Sequence, residues 1–108
     1  MSINLLNNTE IIISGSITNS ILTFSFELSN YDNSNPDDTY AAFINDIEIS
    51  YNDIKESGSD TLVTNLKYNT LYEIDISDLN NQSIKLDIVQ TNESINIQGY
   101  DNFDGIYE

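Results

Sequence analysis

Ile21-Leu22-Thr23-Phe24-Ser25-Phe26-Glu27-Leu28 alternates apolar and polar side chains without a break. Successive side chains of an extended strand point to opposite faces, so Leu22, Phe24, Phe26 and Leu28 share an apolar face while Thr23, Ser25 and Glu27 meet water. Such a strand belongs to an antiparallel sheet covered on one side. The same period returns downstream. Tyr72, Ile74 and Ile76 alternate with Glu73, Asp75 and Ser77; Ile84, Leu86 and Ile88 alternate with Lys85 and Asp87; Ile95 and Ile97 alternate with Asn96 and Gln98.

Less regular strands are expected at residues 10–14, 40–44, 47–51 and 61–65, where β-formers stand between polar breakers. The breakers are residues 31–39 with the only proline, 53–60 with Gly58, and a turn at 78–82. Helical period is missing apart from one turn within residues 51–56. Short strands at this spacing predict an all-β chain, an antiparallel sandwich of about seven to nine strands. A single domain is expected over residues 1–108: an N-terminal arm at 1–9, the sandwich at 10–99 and a C-terminal tail at 100–108.

The charge narrows the partners. Eighteen acidic residues face three basic ones, Lys55, Lys67 and Lys85, for a formal charge of -15. Three cations cannot neutralise a row of phosphates, which argues against nucleic acid and against an anionic membrane surface as partners. A protein partner with a neutral or basic surface is expected instead. Asn, Ser and Thr supply about a third of the chain, so the skew is chiefly a shortage of bases on a neutral polar surface. No apolar run approaches the roughly 20 residues of a membrane span. Residues 2–6 lack the basic start and apolar run of a signal peptide, so synthesis in the cytoplasm from Met1 is expected. The sequons at Asn7, Asn81 and Asn92 are what chance supplies in a chain this rich in Asn.

One local pattern goes beyond periodicity. Leu66-Lys67-Tyr68-Asn69-Thr70-Leu71-Tyr72-Glu73-Ile74-Asp75-Ile76 resembles the fibronectin type III signature, in which Leu, Pro, Asn or Gly, Thr, any residue and Tyr lead into an alternating strand. Leu66, Asn69, Thr70, Tyr72, Ile74 and Ile76 fit. The resemblance implies a structural corner made by Leu66, Thr70 and Tyr72, in which Leu66 plugs the sandwich and the Tyr72 ring packs inward while its hydroxyl bonds back to the loop. It further implies a strand before the corner at residues 60–63, an early core strand at 21–28 and a closing strand at 83–90. The likeness spans residues 11–89. Tyr68 stands where the signature has proline, and Phe24 or Phe26 stands in for the family's tryptophan. Residues 94–100 would be an extra C-terminal strand. The broader immunoglobulin-like sandwich fits as well, and another antiparallel sandwich or a jelly roll is the plainer alternative.

Catalysis is narrowed by subtraction. Without histidine or cysteine there is no Ser-His triad, no thiolate nucleophile and no zinc or copper site of ordinary ligand type. Carboxylate pairs remain, but acids on the outward positions of strands are ordinarily just solvated, so neither an enzyme nor a cofactor is expected. Calcium is the one metal to weigh. Its candidate ligands are Asp32, Asp37 and Asp38 in one loop, and Asp101 and Asp104 near the C-terminus. Neither group has EF-hand spacing, and turn residues bonding their own backbone explain both.

Contact residues are expected in loops and ends. Tyr31, Tyr40, Tyr51, Tyr68, Tyr100 and Tyr107 fall at or beside predicted loops, and Tyr100, Phe103, Ile106 and Tyr107 form an apolar-acidic tail. Together these observations imply a non-enzymatic structural or binding module. Because fibronectin III-like and immunoglobulin-like modules are common on virions, the resemblance implies a phage virion decoration or accessory protein, made in the host cytoplasm and docked on capsid or tail proteins, as a homo-oligomer or lattice. The alternative is a cytoplasmic acidic mimic of nucleic acid that inhibits a defence protein, of the anti-CRISPR or anti-restriction type.

Overall fold

The structure, a computed structural model, describes residues 10–29, 38–61, 63–79, 82–91 and 98–103. Among the described residues eight strands lie in chain order: β1 (Glu10–Thr18), β2 (Ile21–Ser29), β3 (Tyr40–Ile44), β4 (Ile47–Glu48), β5 (Ile54–Glu56), β6 (Tyr72–Asp75), β7 (Ile84–Gln90) and β8 (Gln98–Phe103). They form two four-stranded antiparallel sheets, ordered β1-β2-β6-β5 and β4-β3-β7-β8. One core joins their inner faces, with Leu22, Phe24, Phe26 and Ile74 from the first sheet packed with Tyr40, Ala42, Leu86 and Ile88 from the second. The chain is therefore an antiparallel β-sandwich. Among the described residues no helix is long and apolar enough to cross a membrane.

Two hairpins turn in two residues each, at Asn19–Ser20 and Asn45–Asp46, all four with positive φ. That conformation matches the twist of paired strands, and Asn and Asp tolerate it better than most side chains. Asn45 also clamps the start of β7. Its N–H donates to the Lys85 carbonyl at 2.9 Å and its Oδ1 accepts from the Lys85 N–H at 2.8 Å. Its Nδ2 donates to the Ser83 carbonyl at 3.2 Å.

The alternation expected of β2 and β6 is realised: Leu22, Phe24, Phe26, Tyr72 and Ile74 are buried. β7 departs from it. Asp87, expected in water, lies on the outer face of the second sheet between its ladder partners Phe43 and Tyr100, and is only 7% exposed. Lys85 Nζ stands 3.8 Å from its Oδ2, with a second carboxylate, Asp46, at 3.7 Å and the Tyr100 ring centroid at 5.4 Å. Flanking rings and the lysine stem account for a burial that the period alone does not anticipate.

Three further expectations are corrected. Asp60, Thr61, Val63, Thr64 and Asn65 form no strand. Their polar groups go elsewhere: Asn65 Oδ1 accepts from the Tyr40 N–H at 3.2 Å, and its Nδ2 donates to the Asp38 carbonyl at 2.9 Å. The strand expected over 47–51 ends at Glu48, because the Ser50 hydroxyl caps a 3-10 turn, Tyr51–Asp53, by accepting the Asn52 N–H at 3.1 Å. The extra C-terminal strand expected beyond the one at 83–90 is present as β8, which pairs along the outer side of β7 as far as Phe103. Residues 100–103, placed in a tail by the sequence reading, are thus ladder residues. The strand expected to begin at 94 is described from Gln98; the arm at 1–9 and residues 94–97 and 104–108 lie outside the described residues.

β8 also closes one side of the sandwich. Gly99 lies so near β1 that a Cβ there would sit 2.1 Å from the Ile11 carbonyl oxygen, and Phe103 packs over Gly15, where a Cβ would lie 3.2 Å from its ring. The other side of the sandwich ends in β4 and β5, of two and three residues.

Candidate functional site

On that short-edged side the chain crosses from β4 to β5, and the sheets part around a groove of about 510 Å³. That size is within the range of ligand and peptide sites. Ile44, Ile74 and Ile76, all buried, make the floor. Ile49 and Leu79 pack partly against the core, and Ile47 stands proud at 68% exposure. Position dictates that exposure. Ile47 follows the Asn45–Asp46 turn on a two-residue edge strand, beyond which no further strand among the described residues covers it.

The rim is acidic. Asp53, Asp75 and Asp78 line the groove together with Asn45, Ser77 and Gln82, and no lysine does. Asp75 is engaged by its own turn: its Oδ1 accepts the Ser77 N–H at 2.9 Å, opening the 3-10 turn Ser77–Leu79. The Ser77 N–H, then the Ser77 hydroxyl, with Lys55 adding the smallest share, hold its carboxyl below the ordinary carboxylate range. It is an ionised acceptor, the opposite of the protonated carboxyl that general-acid chemistry needs. Among the described residues Asp53 and Asp78 make no side-chain hydrogen bond or ion pair, so their carboxylates are free to accept one.

The residues singled out in the sequence are scattered. At the corner, Leu66 is fully buried, the Lys67 N–H donates to the Tyr72 hydroxyl oxygen at 2.8 Å, and the Thr70 hydroxyl donates to the Tyr68 carbonyl at 3.4 Å. The corner is tied to β2 by the Asn69 N–H, which donates to the Phe26 carbonyl at 2.7 Å from a residue with φ of 61°. Burial raises the Tyr72 phenol above its ordinary range, and burial followed by Glu48 raises that of Tyr51, whose hydroxyl donates to the Tyr40 carbonyl. Tyr40 is a core residue, packed edge-on to Phe26 with ring centroids 5.0 Å apart, and so is not a contact residue.

Of the tail candidates, Tyr100 points outward at 61% exposure while Phe103 packs on the core. Ile106 and Tyr107 lie outside the described residues, as do Asp32, Asp37 and Asp104. Asp38 is buried, and Asp101 Oδ1 accepts the Asn102 N–H at 2.9 Å. Among the described residues no group of three or more acidic side chains is placed to hold a metal ion.

Sequence reasoning missed the groove altogether. Its lining comes from the β3–β4 hairpin, the β4–β5 crossing and the turn after β6, which no local pattern joins. The one available signal is Ile44-Asn45-Asp46-Ile47, a two-residue turn between isoleucines of which the second has no inner place to go. Comparison with protein families, with curated proteins and with solved structures finds no match to this chain.

Proposed function

We propose that this chain is a non-enzymatic docking module, a virion decoration or accessory protein that seats on capsid or tail proteins through a neutral or basic surface of theirs. The observation that carries the docking role is the groove, an open apolar trough with an acidic rim. Its geometry suits the capture of a protein surface better than the enclosure of a substrate. The virion setting rests on the fibronectin III-like and immunoglobulin-like resemblance of residues 11–89.

The dispersion of the acids supports docking over mimicry. On the outer face of the first sheet the acids fall in two pairs, Glu10 with Glu27 and Glu73 with Asp75, parted by Ser14, Ser16, Thr23 and Ser25. A nucleic-acid mimic needs carboxylates in a phosphate-like row. The test is co-purification from the native host. Recovery with capsid or tail proteins, and density for the module on the native particle, is the expected result; recovery with a nuclease or its guide complex overturns the proposal in favour of the mimic.

A further inference from the structure

The groove's chemistry narrows its occupant. A bare aliphatic group would satisfy Ile44, Ile47, Ile74, Ile76 and Leu79 but would leave the carboxylates of Asp53 and Asp78 beside it without a counter-charge. Asp75 is already held by Ser77, so those two are the acceptors a ligand meets. None of the three lysines of the chain lines the groove, and the formal charge of -15 favours a cationic approach.

The exposure of Ile47 bears on shape. At 68% it forms a wall that an enclosed small molecule leaves in water, whereas an extended segment lying along the edge of β4 covers it. We infer that the groove receives a partner-protein segment in which a lysine or arginine is flanked by branched aliphatic side chains. The aliphatic groups rest on the isoleucine floor while the cation reaches Asp53 and Asp78. This inference rests on the docking role proposed above.

The test is titration of the full chain, labelled at Ile and Leu methyls, followed by NMR. The probes are the blocked peptide Leu-Lys-Ile-Lys-Leu, its counterpart Leu-Glu-Ile-Glu-Leu, and hexylammonium as a small cationic amphiphile. The lysine peptide is expected to shift the methyls of Ile44, Ile47, Ile74, Ile76 and Leu79, and to bind more weakly as salt rises. The glutamate peptide is expected to leave them unmoved. Asp53→Asn with Asp78→Asn should weaken the lysine peptide roughly two- to twentyfold, and Ile47→Ser at least about fivefold. Unchanged Leu22 and Leu66 methyls would show that these surface variants remain folded.

Equal response to both peptides, shifts confined to other methyls, no response, or hexylammonium binding as tightly as the lysine peptide each overturn the inference. Particle binding separates it from the docking role. If Ile47→Ser still seats on the particle as the parent does, docking stands and the groove assignment fails. If the lysine peptide binds as expected but the parent chain captures no virion protein, the docking partner is wrong and the groove chemistry stands.

Discussion

Replacing Gly99 by alanine tests the closed side of the sandwich directly. The added Cβ would lie 2.1 Å from the Ile11 carbonyl oxygen, 2.9 Å from the carbonyl carbon and 3.0 Å from the Ile11 Cβ. Ordinary contact needs roughly 3.3–3.6 Å, so β8 must retreat from β1 by about 1 Å or more. A flexible side chain could yield, but two of these three atoms are backbone, and that backbone is paired along β2. Overpacking of this kind costs about 1–3 kcal/mol, and a backbone obstacle puts Gly99→Ala at about 3 kcal/mol. For a domain of this size that lowers Tm by roughly 10–20 °C.

Gly58→Ala is the control. Gly58 has φ of 82° and nothing within 4 Å of an added Cβ, so it carries backbone strain without a clash, at about 1 kcal/mol. Thermal and urea unfolding of the two variants should therefore rank Gly99→Ala well below Gly58→Ala. A Gly99→Ala protein that melts within about 2 °C of the parent, or above Gly58→Ala, would refute the close approach of β8 to β1.

Tyr72→Phe removes the acceptor of the Lys67 N–H and should cost about 1 kcal/mol in urea unfolding, with Tm down by a few degrees. Burial holds the Tyr72 and Tyr51 phenols above their ordinary value of 10.0, so the fold favours their neutral forms. Their contribution is complete below pH 10 and is lost as pH rises through the raised values; urea midpoints should fall on going from pH 9 to pH 11, less steeply in Tyr72→Phe. Lys85→Met strips Asp87 of its cation and should cost about 1–2 kcal/mol, below a fully buried pair because the lysine side chain is 43% exposed. Adding Asp87→Asn should recover part of that loss, and a neutral Lys85→Met would contradict the pairing. Raising sodium chloride from about 10 mM to about 0.5 M should raise Tm by a few degrees as the self-repulsion of a chain at -15 is screened; a fall would contradict it.

Much of the architecture could be read from β2, β6 and β7, because a half-buried strand writes its two faces into its period. Asp87 shows where that reading stops. An outward position is wet only if its cross-strand neighbours are small or polar, and Phe43 and Tyr100 come from distant parts of the chain. Residues 63–65 have strand-forming composition, but Asn65 spends its side chain on the backbone of Tyr40 and Asp38, which a local window cannot register. The groove was illegible for the same reason: three segments meet there, and the sequence marks only the turn at Asn45–Asp46. The abundance of asparagine is in part structural. Asn19 and Asn45 sit in the hairpin turns, Asn69 holds the corner, and Asn45 and Asn65 carry hydrogen bonds between distant segments.

The packing of the two long edge strands, β1 and β8, against each other has a consequence for how copies of the chain can meet. An unpaired strand edge is a template on which another chain can add a strand and, by repetition, grow a fibre. Here the nine-residue edge of β1 is shielded by β8, and the edges left open, β4 and β5, offer two and three residues. Among the described residues no edge is both free and long enough to propagate a sheet. Fibre growth by edge-to-edge addition of strands is thereby disfavoured at these described edges.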